Sequence, residues 1–155
     1  MVRPYGFMAK FLHWAFIVVF AYGVINQVDE VEELQSSSLL IEEIFFTLIF
    51  LSLLLFRFIY MRSVRAARPP LDMPKNLILL ARTVHLGMYI SLALIAVTGL
   101  IIGGLYNSGV EEGLVLEAFL LLHEIIFWIS VNLMGLHIVG AIYHRVKKDG
   151  VWSSM

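Results

Sequence analysis

Apolar and polar residues in this chain separate into long blocks. Apolar runs occupy roughly residues 11–28, 39–61, 77–105 and 114–143. At a rise of about 1.5 Å per residue, a helix built from any of them is long enough for a hydrocarbon layer of about 30 Å. The connections between them are short, which makes sequential neighbours antiparallel. The pattern therefore predicts an all-α fold: a four-helix transmembrane bundle, antiparallel and up-down, with the chain 1–155 as a single domain. Ser36-Ser37-Ser38 offers a polar entry to the second span, and Arg68-Pro69-Pro70 closes the second connection as a stiff, extended turn. Gly87, Gly99 and the pair Gly103-Gly104 give the third span small surfaces, suited to close helix approach or to a flat ligand. The first span has the basic start and apolar run of a signal peptide, but no small-x-small cleavage site follows it, so it is expected to be retained.

Composition narrows the class. Hydrophobic residues make up 60% of the chain and charged residues only 15%, with a mean hydropathy of +0.87. A soluble domain of 155 residues exposes too much of its surface to hide that apolar content. The absence of cysteine excludes disulfides, iron–sulfur clusters, cysteine-ligated zinc and covalent haem attachment. The lipid bilayer is the expected surrounding, and no nucleic-acid partner is expected.

The charges sort by connection. Arg3 and Lys10 precede the first span; Arg57, Arg62, Arg65, Arg68, Lys75 and Arg82 surround the second connection; Arg145, Lys147 and Lys148 follow the fourth span. The first connection carries Asp29, Glu30, Glu32 and Glu33, and the third carries Glu111, Glu112 and Glu117, with no Lys or Arg in either. By the positive-inside rule both termini are cytoplasmic.

That topology assigns a depth to each ionisable residue in the apolar runs. His13, His85, His137 and His144 fall toward the cytoplasmic side; His123 falls toward the outer side, with Glu42, Glu43 and Glu124 at similar depth. Ionisable groups within a membrane are costly and usually face a partner in the bundle interior. His123 and His137 lie fourteen residues apart on one span. On a helix that is a rise of about 21 Å and a rotation to within about 40° of the starting direction, which suits two haem irons stacked across a bilayer. His13 and His137 come from different spans at comparable depth, a pairing that permits bis-imidazole ligation of a b-type haem. The competing reading is that each histidine hydrogen-bonds a neighbouring helix. At the outer level no second histidine is available. Glu43 and His123 there could bind a metal ion, relay protons, or form a structural contact. His85, His144 and Arg57 are candidates for haem-propionate or quinone contacts; Arg57 also fits a side chain snorkelling to the interface.

The segments FLHW (11–14), HLGMYISLALIAVTGL (85–100) and LHE…GLH…YHRVKKDG (122–150) give the chain a recognisable profile. It resembles the bacterial cytochrome b561 family, related to the b-type cytochrome subunits of nickel–iron hydrogenases. The resemblance covers nearly the whole chain. It implies haem b held by His13 and His137 on the cytoplasmic side, with His123 as one ligand of an outer haem. The usual partner of that outer ligand matches Glu43, so one haem is expected from this chain and the outer site departs from the pattern. The resemblance further implies a multi-pass protein of the bacterial inner membrane, an electron-transfer oxidoreductase that exchanges electrons with a quinone. The other redox partner implied is a periplasmic c-type cytochrome, superoxide or a respiratory subunit. Two alternatives stand beside this: a haem-poor membrane subunit that anchors or assembles a larger respiratory complex, and an outer Glu43/His123 site that binds a metal or relays protons.

Overall fold

The computed structural model describes residues 6–26, 36–63 and 74–147. Four helices account for nearly all of them: α1 (Phe7–Ile25), α2 (Ser37–Ser63), α3 (Lys75–Asn107) and α4 (Leu114–Lys147). All four are long and apolar enough to cross a membrane, and no strand occurs among the described residues. The acidic stretch 29–33, Arg3, Arg65, Arg68-Pro69-Pro70 and the tail from Lys148 onward lie outside them. The helices overrun the apolar blocks by about a turn at the start of α1 and the end of α4, and by about half a turn at both ends of α2 and α3. Lys10, Arg62 and Lys147 are therefore helical, while α1 ends at Ile25, short of the expected residue 28. Helical hydrogen bonding continues into the interfacial layer, where a charged side chain is no longer costly.

The helices alternate in direction. Along α1 and α2, His13 meets Arg57, Phe16 meets Phe50 and Tyr22 meets Phe46. Along α3 and α4, His85 meets His137 and Thr98 meets His123. The turn between α3 and α4 passes through Gly109 (φ 79°) and Gly113 (φ 108°), positions at which a Cβ would be strained. Neighbours in sequence pack: α1 on α2, α2 on α3, α3 on α4. Among the described residues α1 and α4 nowhere approach each other backbone to backbone. A seam separates the first helix from the last.

Large apolar side chains point outward on every helix, among them Val18, Phe45, Ile90 and Val139. In water that surface would drive aggregation; against lipid tails it costs nothing. The interior is correspondingly small. Phe16, Phe50, Leu54, Leu92 and Ala96 form a buried cluster between α1, α2 and α3. Small residues let α3 and α4 close up: Ser130 is wholly buried, and a Cβ on Gly87 would lie 3.1 Å from Leu133. Above and below the cluster lie two polar sites, one at each end of the bundle.

Candidate functional site

At the end formed by the N-termini of α1 and α3, three imidazoles and a guanidinium converge. The His13 and His137 ring centres are 6.3 Å apart with planes 71° to each other, facing across the α1–α4 seam. The His85 ring lies closer to His137, at 4.8 Å and 78°. Two imidazoles from different helices are the donor set that would hold a b-type haem, and His13 and His137 are near enough to supply it, with His85 packed against His137 beside them. Beside His137, one helical turn on, Gly140 has open space where a Cβ would stand. The His13 and His137 rings therefore come from helices whose backbones do not touch, with an unfilled Cβ position beside His137.

Arg57 sits among the same residues. Its Nη2 donates to His13 Nδ1 at 2.8 Å, and its guanidinium lies over the rings of Phe16 and Tyr89, 5.4 Å and 5.7 Å from their centres. Arginine has donors only, so His13 Nδ1 is the acceptor here and the ring proton stands on Nε2. The Arg57 Nε is buried without a hydrogen-bond partner. His85 has the opposite tautomer: its Nδ1–H donates to the Ala81 carbonyl at 2.6 Å, which leaves Nε2 bare. His144 lies beside Tyr143, ring centres 5.4 Å apart, beyond this cluster toward the end of α4.

The other end holds His123 and Glu43, and the structure does not hydrogen-bond them to each other. His123 Nδ1 is 2.8 Å from Thr98 Oγ1, while the Thr98 hydroxyl donates to the carbonyls of Leu94 and Ile95 at 2.8 Å and 3.0 Å. The sequence pattern does not single out Thr98 as a partner of His123, since a threonine in an apolar helix resembles any core position. Both His123 and Glu43 line a cavity of about 270 Å³, walled mainly by aliphatic side chains, with four phenylalanine rings and the glycines Gly23, Gly99 and Gly103. Glu42 and Glu124, expected at the same depth, are exposed on outward faces. No group of three or more His, Cys, Asp or Glu side chains that could hold a metal ion occurs among the described residues.

A comparison with protein-family models finds prokaryotic cytochrome b561 over residues 4–155. No curated protein and no solved structure matches the chain. The match spans both polar ends and all four helices, and on it the chain belongs to the prokaryotic cytochrome b561 family.

Proposed function

We propose that the protein is a membrane-embedded b-type cytochrome that carries electrons between a quinone and a second redox partner, with haem b held by His13 and His137. The observation that carries this reading is the approach of those two rings, centres 6.3 Å apart, from helices whose backbones do not otherwise touch. A haem held there by His13 and His137 would supply one-electron chemistry, and two imidazole donors would favour electron transfer over oxygen chemistry.

The chain's own residues then have defined tasks. His137 and His13 offer neutral nitrogens from two helices that only side chains connect. Arg57 brings a cation to this end with no carboxylate hydrogen-bonded to it among the described residues, so an anionic edge of a ligand is its natural partner. His85, anchored by its bond to Ala81, keeps its bare Nε2 for a proton or a hydrogen bond, at a quinone headgroup or at a propionate. In the orientation read from the charge bias, this end faces the cytoplasm and the protein lies in the inner membrane. A periplasmic c-type cytochrome, superoxide or a respiratory subunit would meet the other end.

The test is a pyridine haemochrome count with a reduced-minus-oxidised spectrum of the purified chain. One haem per chain is expected, with the α-band lost in His137→Ala and in His13→Ala and kept in His123→Ala. A chain with no haem, or with an unchanged band in His137→Ala, would overturn the assignment and favour a haem-poor subunit of a larger complex.

A further inference from the structure

We propose that two copies of this chain pair in the membrane through the outward face of α4, side by side and in the same orientation, with the two Asn132 side chains hydrogen-bonded to each other. Asn132 lies nine residues after His123 and five before His137, about 180° and 140° around the helix from them. The surface is therefore on the far side of α4 from both polar sites, and the proposal does not depend on what those sites hold.

The depth and exposure of Asn132 carry the argument. It stands eighteen residues after Leu114 and fifteen before Lys147, the ends of α4. At roughly 27 Å and 23 Å from those ends, it falls well inside the hydrocarbon layer. Its side chain is exposed. Its Nδ2 donates to the Trp128 carbonyl at 2.7 Å, which uses one of the two amide hydrogens. The other hydrogen and Oδ1 have no partner among the described residues. Lipid tails offer neither donor nor acceptor, so a polar side chain at this depth gains by bonding across to another helix.

The residues around Asn132 repeat every seven positions. Ile125, Asn132 and Val139 form one such set, and Leu121, Trp128 and Gly135 form a second that alternates with it. All six are exposed. In a heptad the first set takes the a positions and the second the d positions. Branched residues at a favour two parallel strands, and a single asparagine at a fixes their register. Helices in membranes mostly cross with the same left-handed geometry that this repeat serves. An added Cβ on Gly135 would meet nothing within 4 Å. A second backbone can thus come close at the layer next to the amide.

The same features choose a second copy over an unrelated helix. Chains inserted in one orientation carry each residue at one depth, so a two-fold axis along the membrane normal sets Asn132 level with its counterpart. A carboxamide both donates and accepts, which gives the self-complementarity that an isologous interface requires. A foreign helix would have to bring its own amide to that depth. Glu124, the nearest charge along α4, lies about 80° around the helix from Asn132, beside the stripe and not on its centre line.

The test uses the full chain in vesicles of phosphatidylethanolamine and phosphatidylglycerol. The chain has no cysteine, so single introduced cysteines report contacts cleanly. Oxidation should link copies that carry Val139→Cys and not copies that carry Ile138→Cys, which is exposed on a different side of α4. By energy transfer between labelled copies, Asn132→Val should weaken pairing by about tenfold, and Asn132→Gln should retain it. Gly135→Ile should also weaken it, by holding the backbones apart. Pairing covers Trp128, which faces lipid in the separated chain. With Trp128 as the sole tryptophan, quenching by bromine-labelled lipid should fall as the protein-to-lipid ratio rises, and should stay high in Asn132→Val. Helical circular dichroism checks that each variant is folded. Equal linking by the two cysteine variants, native association in Asn132→Val, or a chain that stays single at every ratio would overturn the proposal. So would linking of Val139→Cys, in native membranes, only to a different protein.

Discussion

Arg57 Nη2 donates to His13 Nδ1 at 2.8 Å, and this bond places the His13 proton on the nitrogen that a metal would need bare. In the haem-free chain the two demands are opposed. To hold a haem through Nε2, His13 would have to carry its proton on Nδ1, where it could no longer accept from Arg57. The expected result is measurable by NMR of chains carrying ¹⁵N-labelled histidine. His13 should show an Nε2–H correlation without haem and lose it with haem. Arg57→Met should give mixed tautomers in the haem-free chain. A bare Nε2 at His13 in the native haem-free chain would sink the idea.

His85 is closer to His137 than His13 is, packed beside it at a ring separation of 4.8 Å, while the donor pair across the seam is His13 and His137. We expect His85→Phe to keep the native haem-to-protein ratio and to shift the reduction potential through the altered environment of His137. His13→Phe should lower the ratio. Haem loss in His85→Phe as complete as in His137→Ala would reassign the ligand pair.

Leu92 is nearly wholly buried in the cluster that separates the two polar ends. Leu92→Ala opens a void against Phe16 and Phe50, at a cost of about 2–4 kcal/mol. Thermal unfolding in detergent should show a clear drop in midpoint, and Leu92→Met, close to it in volume, should show little. Equal midpoints for Leu92→Ala and the native chain would mean that packing here contributes less than its burial implies.

Trp14 and Trp128 are exposed at 66% and 56% on faces we assign to lipid. In a Trp152→Phe chain reconstituted in vesicles, bromine-labelled acyl chains should quench both tryptophans. Quenching confined to water-soluble agents would place these faces outside the bilayer.

The four spans were legible because long apolar blocks cannot be reconciled with anything but lipid-facing helices. The His13–His137 pair was legible because both residues lie at one depth on different spans. Thr98 was not, although register held a clue. Thr98 lies nine residues before Asn107, the end of α3, and His123 lies nine after Leu114, the start of α4. Antiparallel helices sharing a turn bring such positions level, so the pairing could have been found by measuring outward from the turn. The Arg57–His13 bond had no comparable signal, because the connection between α1 and α2 is longer and leaves their relative height open. Glu43 stood out by depth, but only the geometry separates it from His123 across a cavity. The helix ends ran past the apolar blocks because hydropathy reports where charges become tolerable, while the helix ends are set by backbone hydrogen bonding.

The seam between α1 and α4 has a consequence for assembly. In a bundle where α1 and α4 meet only through side chains, the first and last helices are held together mainly through α2 and α3. A ligand gripped by His13 and His137 joins those two helices directly and turns the open arrangement into a closed ring. Closure of that kind stabilises the whole bundle in proportion to ligand saturation.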